Sequence, residues 1–428
     1  MDQQHKPAQS GEKQSGETQF GLPRWEFIAM CAALMALNAL AIDIMLPGMQ
    51  QIGASLGVTD ENHRQLIIPV YFLGMAAALL IYGPLSDRFG RRKPLFFGLA
   101  IYIIAAFLAA FAPTFEILLA LRFIQGIGAA STRVIAVSIV RDRFGGRAMA
   151  EVMSLIFMVF MVIPVIAPSI GQLVLIFGEW HEIFMVMAGG ALLITLWAFF
   201  RLPETQHPED RRPFALGSII SGFGVVLSNR MSLFYTLAST IIFGALFGFI
   251  SSAQQVYDGI YGLGVWFPVA FAAIAGLMAV SSFLNSQLVG KFGMRRLSHG
   301  ALIGFLIVST IWLLWSLAGP VPFAGFVVLF ALAMFQFGWI GSNFNSIAME
   351  PLGHLAGTAA SVQGFMQTLG GAAIGTYIGQ SFDGTVTPLA AGFTGVAALG
   401  LVMVLIAERG KLFSAPGQAK APVFSEPH

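Results

Sequence analysis

Apolar runs long enough to cross a bilayer, which takes about 20 residues of helix, recur twelve times along the chain, each ended by a polar break. They predict helices over about 27–48, 66–86, 94–112, 116–140, 152–176, 183–200, 231–252, 266–289, 297–319, 322–347, 357–381 and 389–407. The breaks sort by charge. Of the 23 Lys and Arg, all but Arg64, Arg122 and Arg133 fall in the two tails or in breaks that twelve crossings place on one side. Asp60, Glu61, Glu179, Glu182, Asp258 and Asp383 collect on the other. Basic residues gather on the cytoplasmic side of membrane proteins, so both termini are expected inside.

The pattern changes between Arg201 and Arg230. Leu202 to Pro213 is polar and broken by prolines, and Phe214 to Ser228 is weakly amphipathic, fitting a segment on the inner membrane surface. The expected organisation is a cytoplasmic N-terminal tail 1–24, a six-helix half 25–201, a cytoplasmic linker 202–230, a second six-helix half 231–408 and a cytoplasmic tail 409–428. Met1 to Leu22 is polar and lacks the apolar core of a secretory signal.

Composition agrees. With 57% hydrophobic and 10% charged residues and a mean hydropathy of +0.78, too little polar surface exists to cover a soluble domain. A net charge of +2 speaks against nucleic acid as a partner, and Cys31, the single cysteine, makes no internal disulfide. The seven histidines form no H-x-x-x-H or H-E-x-x-H pair, so no metal site is expected. Neither a nucleophile motif nor a phosphate-cradling glycine loop occurs, so the expectation is a non-enzyme without cofactor, not driven by ATP.

Three ionisable residues lie within the runs away from their ends: Asp43, Arg122 and Arg133. Such residues cost about 2.5 to 3.5 kcal/mol at the bilayer centre and mark function by default. Asp43 and Arg122 fall roughly 8 Å below the outer surface at about 1.5 Å per residue. They are expected either to pair across a cavity or to form an ion pair that only holds helices together. Arg122, Gly126, Ala129 and Arg133 share one helical face, suggesting a wet path. For Arg133, snorkelling or bonding to backbone carbonyls is the alternative. Phe157, Phe160, Tyr257, Trp266, Phe267 and Trp339 read as cavity lining or as helix packing. Gly371, Gly375 and Gly379 read as a close helix contact.

Gly83-Pro84-Leu85-Ser86-Asp87-Arg88-Phe89-Gly90-Arg91-Arg92 resembles the loop signature G-x-L-[SA]-D-[RK]-x-G-R-[RK] of the major facilitator superfamily. A degenerate copy lies 203 residues on, pairing Leu85 with Leu288, Arg88 with Lys291, Phe89 with Phe292, Gly90 with Gly293 and Arg92 with Arg295, while Asp87 faces Gly290. Such a repeat fits two parallel halves. Leu121 to Ala130 resembles the family's R-x-x-Q-G-x-G-A-A motif, and Pro164 to Gln172 resembles its antiporter motif G-P-x-x-G-G, with Ala167 and Gln172 in place of glycines. Taken with Asp43-Ile44-Met45-Leu46-Pro47, Val140 to Phe144 and Trp180 to Phe184, the set is similar to the bicyclomycin and chloramphenicol resistance (Bcr/CflA) branch of drug:proton antiporters, over essentially Trp25 to Arg409.

That resemblance implies an all-α integral membrane protein with the major facilitator fold, two pseudo-symmetric six-helix halves and twelve transmembrane helices. It implies proton-coupled export of hydrophobic drug-like small molecules by alternating access, from the bacterial inner membrane and as a monomer. Import of a small metabolite on the same fold is the alternative, favoured by the altered antiporter motif. Asp43 would carry the proton and Arg122 would sense it, with Gln125, Arg133 and Asn38 completing the coupling site and substrate cavity. Gly83, Asp87, Arg88, Gly90, Arg91 and Arg92 would form a conformational latch, in which Asp87 engages Arg91 and a helix N-terminus of the other half. Pro164, Pro168 and Gly171 would kink the fifth helix. Better-characterised relatives carry a second acid two turns before the first-helix aspartate. Met35 stands there in this chain, with Asn38 nearby, which counts against strongly cationic drugs.

Overall fold

The computed structural model describes residues 22–413 except 145, 208, 210 and 212–215. The outer parts of both expected tails and those linker positions lie outside the described residues. Among the described residues twelve long helices follow in order: α1 (Arg24–Asp43), α2 (Ile67–Phe89), α3 (Arg92–Ala109), α4 (Phe115–Arg143), α5 (Gly146–Phe177), α6 (Trp180–Arg201), α7 (Arg230–Gln254), α8 (Phe267–Phe292), α9 (Met294–Ala318), α10 (Phe323–Met349), α11 (Ala356–Gln380) and α12 (Thr387–Ala407). Among the described residues ten helical segments are long and apolar enough to cross a membrane. α5 and α11 complete the twelve; in α11 glycines and glutamines dilute the apolar character.

One boundary differs from expectation in a way that matters. α1 stops at Asp43, not near residue 48, and the chain continues through a tight turn, Leu46–Gly48, into the short helix Met49–Ser55. Pro47 is the cause: it lacks the N–H that would bond the Asp43 carbonyl, and its ring crowds that turn. Asp43 is therefore the last residue of its helix.

Packing repeats with a period of six helices. α1 lies on α5 as α7 lies on α11, α2 on α4 as α8 on α10, and α3 on α6 as α9 on α12. The halves meet along α2 with α11 and α5 with α8. Between them the helix Leu216–Ser228 packs on α11, where Val226 is buried with Leu352, Ala359 and Val362 and Phe223 meets Phe365 edge-on. Its amphipathic pattern is thus met partly by protein, although Ile220 stays 72% exposed. Below, the bundle end carrying most Lys and Arg is called the basic end.

Candidate functional site

Of the side chains singled out inside the first half, Arg122, Gln125 and Asn38 fall into one connected network. Arg122, on α4, is fully buried. It donates from Nη1 to Gln125 Oε1 at 2.6 Å and from Nη2 to the Ala41 carbonyl at 3.0 Å, and its guanidinium lies 4.5 Å from the Tyr71 ring centre. Tyr71 donates its hydroxyl to Asn38 Oδ1 at 3.3 Å, and Asn38 Nδ2 donates to Thr132 Oγ1 at 2.8 Å. A polar chain therefore runs from the end of α1 through α2 to the middle of α4.

Two expectations are corrected here. Asp43 and Arg122 do not pair: the arginine reaches backbone two residues earlier, and Asp43, only 4% exposed, makes no side-chain hydrogen bond or ion pair among the described residues. The shared depth expected of the two residues requires a helix that runs on to about residue 48. Ending α1 at Asp43 alters that geometry and leaves the Ala41 carbonyl as the acceptor the arginine meets. Nor does Arg122 line a wet path. The face it shares with Gly126 is shut against α2, because a Cβ at Gly126 would run into the Tyr71 carbonyl.

Arg133 has the opposite setting. It is exposed and lines a cavity of about 390 Å³ together with Asn345, Ser346, Met349, Gln363 and Gln367 from α10 and α11. These residues come from both halves. Asn345 Oδ1 gathers donors from Ser239 at 2.9 Å, Gln363 at 3.2 Å and Gln367. This amide wall was missed in the sequence; its signal was Gln363 and Gln367 one turn apart in an apolar helix.

At the end opposite the basic one the halves are tied together. Asn62, in the short helix Glu61–Arg64, donates to the carbonyls of Gln380 at 3.1 Å and Phe382 at 2.9 Å. Its own carbonyl accepts from Gln380 Nε2, its side-chain oxygen from Gln255 Nε2 at 3.2 Å, and Gln65 bonds Gln255. Just inside, Phe72 of α2 stacks on Phe247 of α7 at 4.3 Å. The cavity with Arg133 lies on the basic side of this seal.

The motif loop forms a second centre at the basic end. Arg91, 4% exposed, donates to Asp87 at 2.6 Å, to Ser86 at 2.9 Å and, two-pronged, to Asp142 at 2.8 and 3.1 Å. Burial works to lower its pKa, but the hydrogen bonds and charges of Asp142 and Asp87 outweigh it and hold the guanidinium above its usual range. Glu204 accepts the backbone N–H groups of Arg91 and Arg92, capping α3. Gly90 sits at φ +86°, where a side chain is strained, and directly beside that carboxylate. Arg92 reaches the Phe199 carbonyl at 2.8 Å, Arg88 is exposed over Phe89, and the Gly83 carbonyl accepts from Ser86. The Asp87–Arg91 pair was expected. No hydrogen bond or ion pair joins Asp87 to the second half among the described residues; its backbone carbonyl instead accepts from Gln206 of the linker.

The degenerate copy keeps more than its letters suggested. Gly293 has φ +81°, and Arg295 pairs with Glu350 at 3.0 Å and Glu408 at 2.8 Å, joining the ends of α9, α10 and α12 as Arg91 joins those of the first half. Tyr235 and His299 extend that cluster.

Elsewhere, α5 is unbroken through Pro164 and Pro168, and Gly171 lets it touch the Ile44 carbonyl. Gly371, Gly375 and Gly379 face α7 or its neighbours closely. Tyr257 and Phe267 are buried against each other, Trp266 is 67% exposed, and Trp339 donates to the Ser281 carbonyl. The side chains of Phe157 and Phe160 lie outside the described residues.

The sequence profile of the Major Facilitator Superfamily matches residues 28–376. The chain is 32% identical to a protein of Haemophilus influenzae named bicyclomycin resistance protein homolog, over 85% of this chain and 91% of that one. It is 31% identical to the multidrug resistance protein MdtL of Klebsiella pneumoniae, over 80% and 86%. Its fold is similar to that of a bacterial homologue of the lysosomal transporter Spinster in an inward-facing conformation, with a TM-score of 0.66 at 15% identity, covering 90% of this chain and 95% of that one.

Proposed function

We propose that this chain, which belongs to the major facilitator superfamily and is a multi-pass membrane transporter, exports hydrophobic drug-like molecules in exchange for protons. It would act as a monomer in a bacterial inner membrane, with both termini in the cytoplasm. The named relatives support drug efflux, and the asymmetry of basic residues supports the orientation.

The observation that carries proton coupling is the setting of Asp43. Its carboxyl is buried, without a partner among the described residues, at a helix end, just where the first half approaches the sealed end of the bundle. A buried carboxyl exchanges its proton with the bulk only when water can reach it. With the basic end in the cytoplasm, the arrangement is inward-facing: the Asn62 seal closes the outer end and the cavity lies toward the cytoplasm. Opening that seal would wet Asp43 from outside, and closing it would dry the site again. Arg122, bonded to the Ala41 carbonyl, ties the position of that helix end to Tyr71, Asn38 and Thr132, and so to the α4 turn that carries Arg133. The residues offered as a coupling site thus divide into a proton carrier, a buried tie and a cavity side chain.

Expression in an efflux-deficient bacterium against a panel of acidic, neutral and basic drugs tests the reading. Raised tolerance to at least one, lost on adding a protonophore, is expected. Unchanged tolerance throughout, with proton-driven uptake of a panel member into right-side-out vesicles, would overturn export.

A further inference from the structure

Arg133 is the one cation lining the cavity between the halves, and among the described residues it has neither a hydrogen bond nor an ion pair. Among the described residues no acid lines that cavity. Three acids at the same end are engaged elsewhere: Asp142 by Arg91 and Thr205, Glu350 and Glu408 by Arg295. On the wall opposite, Asn345 Oδ1 already takes three donors. A guanidinium left without a counter-ion at membrane depth is costly, and its fork of donors matches a carboxylate or a similar oxyanion.

We infer that the cavity selects amphiphiles bearing an anionic group, with Arg133 as the residue that reads the charge. The apolar body of such a ligand has Met349, Ala360 and Gly364 to lie against, and Gln363 and Gln367 border its polar end. A cation finds no counter-charge there. This gives a positive reason, beyond the missing acid at Met35, for a transporter that does not favour cationic drugs. The inference rests on the transport reading above for its physiological meaning, yet equilibrium binding tests it alone: anion selectivity in a protein that fails to export would sink export and leave the selectivity standing.

The test uses the full chain in nanodiscs of neutral lipid and three fluorescent probes of one body: dansylglycine, dansylamide and dansylcadaverine, respectively anionic, neutral and cationic. Dansylglycine is expected to bind about 10-fold or more tighter than dansylcadaverine, as a charge-assisted hydrogen bond predicts. Arg133→Gln removes that preference and Arg133→Lys retains part of it. Gln363→Glu, which offers Arg133 an internal partner, cancels the preference without removing the cation, and so serves if Arg133→Gln does not fold. Equal binding of the three probes by the wild type, absence of binding, or a preference that survives Gln363→Glu overturns the inference. Loss of dansylglycine binding in nanodiscs containing phosphatidylglycerol also overturns it, by assigning Arg133 to a lipid headgroup.

Discussion

Asp43 owes its setting to one neighbour. Pro47 ends α1, and the carboxyl that stands out in the motif and by its depth is left without a partner among the described residues. The sequence made Asp43 and Arg122 visible because charges are rare in apolar runs. It hid their true partners because Arg122 bonds a backbone carbonyl, which every residue possesses and no motif records. Arg91 is the contrasting case. Its acids Asp87 and Asp142 are both named in motif stretches, but only the fold brings Asp142 to within 2.8 Å. Removing one partner of a buried ion pair costs about 3 to 5 kcal/mol when the other charge is left with none, and less for Arg91, which keeps Asp87 when Asp142 is lost. Asp142→Asn is therefore expected to lower the unfolding temperature of the purified protein markedly, while Arg88→Gln, at an exposed site, leaves it nearly unchanged. Arg91 has a folded pKa above its unfolded value, so its contribution is complete below the ordinary arginine range and fades only at higher pH. Between pH 6 and pH 8 the difference between Asp142→Asn and wild type should not arise from Arg91 titrating.

Among elements, the twelve helices were legible from run length, because the bilayer sets the length of each crossing. The contacts that give them purpose were less so. Gly171 illustrates this: the antiporter-like motif drew attention to α5, but the reason for a small residue there is the Ile44 carbonyl beneath it. Gly171→Ala is expected to push α5 from the end of α1, costing about 1 to 3 kcal/mol as overpacking does. Thermal unfolding reads the loss, and an unchanged midpoint would remove the contact from consideration. The repeat loop was half legible. Aligning letters found Gly293 and Arg295 but suggested a weakened copy, whereas the acids that complete it, Glu350 and Glu408, come from other helices. Asp87, 39% exposed at the side chain, lies in the only one of the two loops with an acid at that position. With its bond to Arg91 about 1 kcal/mol at such exposure and both residues in the first half, Asp87→Asn is expected to lower the stability of the purified protein by no more than that, measured by thermal unfolding.

At the scale of the molecule, six-helix periodicity in packing makes two similar bodies whose relative tilt is set by few bonds. The seal around Asn62 is the most concentrated set of these, drawn from loops that the sequence marked only as acidic and outward. Amides there carry no charge pattern and lie 318 residues apart in the case of Asn62 and Gln380, which is why the seal was invisible beforehand. Asn62→Ala removes three of its hydrogen bonds, at roughly 1 kcal/mol each. Spin labels on the two halves at that end should then report a longer separation in a larger fraction of molecules; an unaltered distance distribution would show that the seal does not hold the state.

The central claim is that Asp43 couples protons to transport. It is tested most directly by Asp43→Asn in inverted vesicles loaded with a substrate identified from the drug panel. The account predicts that this variant still exchanges labelled for unlabelled substrate at equilibrium but no longer accumulates it when a proton gradient is imposed. Gradient-driven accumulation equal to wild type would contradict it.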